Sequence, residues 1–310
     1  MTRICLLTAL VGVTLYLSVG TATAQAPPMS PWVFNVDGGA VHQTEVDMKD
    51  NEGGFAVDRW FVSGGVSYGW DRRTSLGISI GGGQSNYEFN SESDFAGGEP
   101  WSKISDYRVA MTGRFGIGKT GTMLIIPTVR FNGESGASSS DSRTYGLFAA
   151  AFWRINEDLT IGPGIGVFSR LEDGTRIFPI LAIDWNISER WNLATGRGLA
   201  ASQGPGLTLS YKFSPHWKLG ISGRYESLEF RLDDEGEAPG GVGRDQSFPL
   251  VVSAMLDPNP KVSLSLFMGL EFGGELRLTN ALDEIIQETK YDPAPIFGVC
   301  LLYTSPSPRD

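Results

Sequence analysis

Few side chains in this chain are of the types that do chemistry, and the first to consider are its two histidines, His42 and His216. A metal site could use both only if two distant segments met, and the run 214–216 is more typical of a turn. A Ser/His/Asp hydrolase would need one histidine beside a serine on a neighbouring strand, which geometry reveals and local spacing does not. We therefore expect no enzyme activity and no catalytic or metal-binding residues, with a triad left open as the alternative.

A phosphate-binding pattern is spelled by residues 113–120 (GRFGIGKT), and an overlapping dinucleotide fingerprint ends at Gly121. A phosphate loop must follow a buried strand and open a helix. Here the next residues, 123–131, form a strand-like run that contains Pro127. The same letters suit a hairpin, in which Lys-Thr-Gly turns between an outgoing and a returning strand. The pattern therefore predicts a hairpin, with no bound nucleotide or other cofactor.

Acidic residues outnumber basic ones by 35 to 25, and the net charge of −10 argues against nucleic-acid binding. The cysteines, Cys5 and Cys300, lie near the two ends, so the chain between them has no disulfide or thiolate site. Two acidic clusters in long loops could bind Ca²⁺ or Mg²⁺ that bridges lipopolysaccharide. Neither has the spacing of a known calcium loop, and a solvated loop is the plainer interpretation. The clusters are Glu45, Asp47, Asp50 and Glu52, and Asp233, Asp234, Glu235 and Glu237.

Period-two alternation governs where most of the remaining charged residues lie. Tyr107, Val109 and Met111 share one face of a predicted strand. Arg108 and Arg114 lie on the opposite face. The segments 177–187, 207–213 and 262–271 repeat the pattern. Such alternation suits strands with one apolar face, in a membrane barrel or in a soluble sandwich.

Short and long connections alternate between these strands. Thirteen connections imply fourteen strands, with twelve as the alternative. Outer-membrane barrels have an even number of strands, short periplasmic turns and long outer loops. The predicted fold is therefore an all-β, antiparallel, up-and-down transmembrane β-barrel. The short turns are 71–74, 119–121, 156–158, 188–190, 214–216 and 257–261, and the long loops are 43–54, 90–103, 133–143, 171–176, 200–205, 232–246 and 279–293.

Tryptophan placement favours the barrel over the sandwich. Six tryptophans lie close to a short turn or to the start of the first strand, which would put them at one membrane interface. A soluble sandwich would bury its tryptophans in mid-strand. The six are Trp32, Trp70, Trp153, Trp185, Trp191 and Trp217.

The two ends of the chain differ from its body. Residues 1–24 have the layout of a secretory signal peptide, with cleavage after Ala24 favoured over cleavage after Ala26 because Pro27 would follow. Residues 300–310 resemble the translation of a sequencing-library adapter and not native protein, with a genuine Ser/Pro-rich tail as the alternative. We therefore expect one barrel domain, residues 25–299, cut short in its last strand. A native chain of this class would continue to an aromatic carboxy-terminal residue.

Several turn and strand motifs resemble an uncharacterised family of Gram-negative outer-membrane β-barrel proteins. This resemblance implies the fold and a place in the outer membrane, and it implies no activity. We accordingly expect contact with outer-membrane lipid and lipopolysaccharide, and insertion by the barrel-assembly machinery. The motifs are 178–185 (FPILAIDW), 191–196 (WNLATG), 204–207 (GPGL), 214–220 (SPHWKLG) and 291–295 (YDPAP).

Projection of the period-two faces around a barrel places more basic than acidic residues on the inward side. A cationic wall raises the local concentration of anions. We therefore expect a passive channel for small, anionic solutes, and the alternative is a structural or adhesive surface barrel with a closed lumen. The predicted lumen residues are Arg108, Arg114, Arg130, Arg154, Lys212, Lys218 and Arg224, against Asp184, Glu226 and Glu271.

Overall fold

The computed structural model describes residues 31–71, 73–172, 174–195 and 206–305. The predicted signal peptide lies outside these residues. The described strands are β1 (Trp32–Asp47), β2 (Gly54–Gly69), β3 (Ser75–Phe89), β4 (Lys103–Ile117), β5 (Gly121–Glu134), β6 (Arg143–Arg154), β7 (Leu159–Ser169), β8 (Thr175–Asn186), β9 (Trp191–Thr195), β10 (Gly206–Lys212), β11 (Trp217–Arg224), β12 (Glu226–Arg231), β13 (Val242–Asn259), β14 (Val262–Thr279), β15 (Ile285–Lys290) and β16 (Ala294–Thr304).

These strands close into a barrel with fourteen positions in its wall. Strands β1 to β11 pair with their neighbours in sequence order, and β11 then pairs with β13. The ring closes through β14 and β16, because β16 pairs with both β14 and β1. β12 continues the line of β11 along β13, and β15 continues the line of β16 along β14. The predicted antiparallel barrel of about fourteen strands is confirmed.

The outer surface of the barrel is apolar. On β4, Tyr107, Val109 and Met111 are 60%, 41% and 47% exposed. The other strands repeat this alternation, with outward residues such as Ile80 and Leu181 more than half exposed. A soluble protein rarely exposes so continuous an apolar surface, whereas a membrane-spanning barrel turns it to lipid. The structure therefore has the outer surface of an outer-membrane barrel.

Tryptophans ring the short-turn end of the barrel. The six that were predicted to lie at one interface all have exposed side chains next to short turns or the start of β1. Indole rings favour this level because the ring is apolar while its N–H needs a polar neighbour. Trp60 is exposed higher on the barrel, and Trp101 is 1% exposed inside it. The short turns thus mark one membrane boundary.

Residues 113–120, which match the phosphate-loop pattern, form part of a hairpin, as predicted. Strand β4 ends at Ile117, β5 begins at Gly121, and the two strands pair directly. Arg73 from the neighbouring turn donates hydrogen bonds to the carbonyl oxygens of Gly118 and Lys119, at 2.7 and 2.9 Å.

The described residues contain no helix that is long and apolar enough to cross a membrane.

Three of the long loops are shorter than the sequence predicted. β1 runs on to Asp47, β13 already begins at Val242, and β15 lies within the predicted loop 279–293. These segments are rich in charged residues, which are typical of loops. In the structure the charges pair between adjacent strands, as Arg244 does with Glu275 at 3.0 Å. Cross-strand pairs of opposite charge stabilise strands that extend beyond the membrane.

At the long-loop end, one part of the wall folds across the barrel. We call this part the cap: β12, the segment 242–247 of β13, the segment 274–279 of β14, and β15. A bulge between Gln246 and Phe248 lies at its base, and Gly273 there has a φ of +60°, which glycine adopts without strain. The free edge of the cap meets the opposite wall where Arg231 bridges to Gly133 of β5.

The last strand is paired along its whole length. Cys300 lies opposite Gly39 of β1 and Ser265 of β14, and Tyr303 is paired on both sides as well. The suggestion that residues 300–310 are an adapter translation stays a prediction, since many sequences with strand-forming residues would pair in the same way.

We expect the protein to be recovered with the outer membrane and to migrate at different apparent masses on gels before and after heating. Closed barrels resist detergent until their hydrogen-bonded strands melt. Fractionation followed by semi-native electrophoresis measures both properties. Recovery as a soluble periplasmic protein would contradict the membrane assignment.

Candidate channel lumen and its cap

The cap is seated on an apolar core inside the long-loop end of the barrel. Phe230, Leu276 and Leu278 from the cap are fully buried. They belong to one cluster with residues of the wall and of the loop that follows β3. Ala96 of that loop donates its backbone N–H to Gln287 of β15 at 2.8 Å, which ties the loop to the cap. The wall and loop members include Phe55, Val57, Tyr87, Phe95, Trp101 and Ile104.

The inward face changes character along each strand. On β2, Phe55 and Val57 near the long loops are fully buried beneath the cap. Further toward the short turns the same face carries Ser63, Gly65 and Ser67. The lumen wall is therefore apolar near the long loops, beneath the cap. Nearer the short turns it carries small and polar residues. We call the lumen between the cap and the short turns the vestibule. Its inward residues include Asn35, Gly65, Ser79, Thr112, Thr160 and Ser210.

A buried charge cluster lies between the apolar core and the vestibule. Arg59 of β2 donates to Asp245 of the cap at 2.9 Å, and its guanidinium is 3.6 Å from Glu271 of β14. The hydroxyl groups of Tyr87 and Tyr291 donate to the two oxygens of Asp245, at 2.8 and 3.0 Å. The side chains of Asp245 and Glu271 are only 5% and 3% exposed. Since buried charges are costly unless paired, this cluster couples the cap to β2 and β3 of the wall.

Arg231 fixes the free edge of the cap. Its guanidinium forms an ion pair with Glu172 and donates to the carbonyl oxygens of Gly240, Leu171 and Asp141, at 2.8, 3.1 and 3.1 Å. Three of these partners, Glu172, Leu171 and Asp141, lie in loops of the opposite wall. One side chain therefore joins β12 to the loops after β5 and β7.

Glu134 ends β5 beyond the membrane-spanning part of the barrel, where the loop after β3 meets the cap. Its carboxylate accepts backbone hydrogen bonds from Ser102 at 3.0 Å and from Asp233 at 3.5 Å. Partial burial raises the pKa of this carboxyl, and the hydrogen bonds only partly offset that effect. The loop after β3 and the segment that follows β12 thus meet at one shared acceptor.

Four of the predicted lumen cations lie on the inward face and form no ion pair among the described residues. Arg108, Arg114 and Arg154 alternate along β4 and β6 with outward apolar residues, and Lys212 does so on β10. Within the residues that the structure describes, none of the four has a carboxylate within 4.0 Å. The sequence prediction placed them inward, and the structure puts them on the face opposite the apolar belt.

The other predicted lumen residues are paired. Arg130 forms an ion pair with Asp106, Lys218 lies 2.8 Å from Asp257, and Asp184 accepts from Asn192 at 2.8 Å. Glu271 belongs to the buried charge cluster. Arg224 and Glu226 are 3.5 Å apart, but the strand breaks between them at Tyr225. Glu226 therefore begins the cap and does not continue the wall.

Of the residues in the buried charge cluster, the sequence predicted only Glu271 to lie in the lumen. Arg59 alternates with the outward Trp60 and Val62, so the period-two pattern could have placed it inward. Asp245 lies in a segment that was interpreted as loop, and no sequence signal connects it with Arg59. Its partner Tyr87 has no such signal either, because β3 meets the cap only in three dimensions, and Tyr291 follows β15 within the predicted loop 279–293.

The histidines lie at opposite ends of the barrel. His42 Nδ1 is 2.7 Å from Asp58 on the outer surface, and His216 Nδ1 is 3.0 Å from the carbonyl oxygen of Asp257 at a short turn. The two do not share a site. Among the described residues, no group of three or more histidine, cysteine or acidic side chains is arranged to hold a metal ion.

A gap remains between the edge of the cap and the wall formed by β5 to β8. Asn132 of β5 donates to the carbonyl oxygen of Glu229 at 3.1 Å, and this contact bounds the gap on one side. Beyond it lies a cavity of about 330 Å³, lined by the cap edge and by β6, β7 and β8. The cap therefore fills the barrel on the side of β1 to β4 and leaves space on the side of β6 to β8.

Comparison with known proteins finds matches among solved structures, each at low sequence identity. No family model matches the chain, and no curated protein matches it significantly. An outer-membrane channel from Pseudomonas putida F1 is 9% identical, with a TM-score of 0.49 over 92% of this chain and 100% of that chain. A FadL homologue from Pseudomonas aeruginosa is 10% identical, with a TM-score of 0.48 over 88% of this chain and 90% of that one. The toluene transporter TodX from Pseudomonas putida is 9% identical, with a TM-score of 0.43 over 90% of each chain.

Replacement of Arg59 by alanine should strongly destabilise the protein, because Asp245 and Glu271 would remain buried without their counter-charge. Loss of one partner of a buried ion pair costs about 3–5 kcal/mol. The matched control is Lys218→Ala, which breaks a partly exposed pair worth about 1 kcal/mol or less. Urea unfolding of the folded barrel in vesicles measures both. Equal effects of the two substitutions would contradict a structural role for the cluster.

Proposed function

We propose that this protein is a passive outer-membrane channel for small anionic solutes. The proposal includes export by the predicted signal peptide, insertion by the barrel-assembly machinery and contact with outer-membrane lipid and lipopolysaccharide. It assigns no catalytic residue. Transport by such a channel needs only a continuous route and a favourable electrostatic field along it.

The observation that carries the proposal is the uncompensated positive charge of the vestibule. Arg108, Arg114 and Lys212 have no carboxylate partner among the described residues, although the chain as a whole is acidic. Most acidic residues lie in the loops and in paired clusters, and the inward Asp37 and Asp184 accept hydrogen bonds from Ser63 and Asn192 at 2.5 and 2.8 Å. Positive charge that lines a lumen attracts anions and lowers their barrier to passage. A closed, fully packed lumen would gain nothing from these cations.

The route that we propose runs beside the cap. The apolar core and the buried charge cluster obstruct the lumen next to β1, β2 and β3. The proposed route therefore follows the gap next to β6, β7 and β8, whose lining includes Tyr225 beside the cap edge, a residue 42% exposed. Small displacements of the cap edge would widen this route.

A structural or adhesive surface barrel is the second candidate. The observation in its favour is the seal between the cap and the wall, with Phe55, Phe95 and Phe230 fully buried. A protein that only displays its loops would need such a rigid closed end and no conductance. Electrical measurements therefore distinguish the two functions.

Refolded full-length protein in planar bilayers should show a reversal potential of the sign that indicates anion preference. The triple substitution of Arg108, Arg114 and Arg154 by serine should bring the anion-to-cation permeability ratio close to one, because it removes three unpaired lumen charges. Arg143→Ser is the matched control, since Arg143 lies beside Tyr145 on the outward face and not in the lumen. Cation preference, or no conductance at all, would defeat the channel and leave the structural barrel.

Replacement of Arg231 by serine should raise single-channel conductance or open time. The substitution removes the contacts that join the cap edge to the loops after β5 and β7. Arg277→Ser is the matched control, because Arg277 pairs with Glu275 and Glu288 within the cap itself. Unchanged conductance in the Arg231 variant, with the barrel still folded, would show that solutes do not pass the cap edge.

A further inference from the structure

The cavity beside the cap has an aromatic floor. Phe168 of β7 and Phe178 of β8 both line it, with ring centroids 5.6 Å apart and planes only 4° from parallel. Each ring lies over a glycine of the neighbouring strand. A Cβ on Gly146 would overlap the ring of Phe168, and one on Gly166 would overlap the ring of Phe178. The glycines thus let two phenyl rings lie against the wall and form a flat apolar surface.

The same wall carries two arginines beside the phenyl rings, Arg170 directly after β7 and Arg176 on β8, and the cap edge contributes one carboxylate, Glu229. Arg176 is engaged, because it donates to Glu229 at 2.7 Å and to Ser227 at 3.2 Å. Arg170 is not engaged in this way. Its nearest carboxylates, Glu229 and Asp283, are both 3.7 Å away, and its buried Nε has no acceptor in the part of the chain that the structure describes.

An arginine that lines a cavity with unused donors is suited to an anion. The guanidinium carries five N–H donors in a fixed plane, which match the two oxygens of a carboxylate. Arg176 holds Glu229 at hydrogen-bond distance, so Arg170 has only two long ion pairs, with Glu229 and Asp283 at 3.7 Å, and no hydrogen bond to either carboxylate. Arg170 is therefore the residue that offers an incoming carboxylate the most unused hydrogen-bond donors.

We propose that this cavity binds a small aromatic carboxylate, with its ring on Phe168 and Phe178 and its carboxylate on Arg170. Aromatic rings favour offset parallel contact with other rings. A cavity of about 330 Å³ is at the small end of ligand sites, which suits a single ring with one acidic group. Arg176 is a positioning residue, because it acts through Glu229. The inference names a solute class for the channel proposed above and in that sense rests on it, but binding can be measured without conduction.

Fluorine NMR of full-length protein in detergent tests the proposal, with para-fluorobenzoate and the neutral para-fluorobenzyl alcohol as probes and empty micelles as the blank. Wild type should bind the acid saturably and more tightly than the alcohol. Arg170→Gln should weaken binding of the acid by roughly ten- to a hundredfold, as expected for lost hydrogen bonds to a charged group, and leave the alcohol unchanged. Phe178→Leu should weaken both probes.

Arg143→Gln is the matched control, because it removes an arginine from the outward face, outside the lumen, and should change neither affinity. Heat-modified gel migration establishes that each variant is folded. Equal affinity for acid and alcohol, full retention of acid binding by Arg170→Gln, or the absence of saturable binding would overturn the proposal. Saturable binding without conductance would leave this site standing and defeat the channel, and conductance without binding would do the reverse.

Discussion

The closed ladder of backbone hydrogen bonds is the constraint on which the rest of this structure depends. In lipid an unpaired N–H or C=O group is very costly, so a membrane-spanning sheet leaves no free edge. Pairing of β16 with both β1 and β14 removes the last edge and fixes the register around the ring. Since side chains alternate along each strand, that register decides which residues face lipid and which face the lumen.

The cap is held in a different way from the wall. Above the bend at Gly273, β12 touches the opposite wall through a single bridge, and the cap is retained there by side chains. Apolar packing, the Arg59 cluster and Arg231 hold the cap in position, as backbone pairing holds the strands of the wall in the membrane. A wall built on backbone pairing tolerates many changes of side chain, whereas the cap depends on a few particular ones. Specificity and regulation of a lumen can therefore evolve in the cap without disturbing the barrel.

The sequence predicts the wall well and the cap poorly, for a physical reason. Alternation on β4 and the tryptophans near the short turns are local signals, because lipid acts on each strand separately. The inward position of Arg108 follows from its immediate neighbours Tyr107 and Val109. Asp245 has no comparable signal, because its position is decided by a bend and by a partner on another strand. The predicted loops 232–246 and 279–293 were too long for the same reason: their charges are satisfied across strands, not along them.

The contact between Arg59 and Asp245 has a consequence for how the chain folds. These residues are 186 positions apart, so their encounter requires the closure of a very long loop of chain. Hairpins between successive strands form from near neighbours and are favoured early. Arg59 can pair with Asp245 and Glu271 only when the hairpin of β1 and β2 and the hairpin of β13 and β14 lie close together in the ring. The ion pair of Arg59 is thus expected to form late in assembly. The cap can seal the barrel only after β2 and β13 have come together.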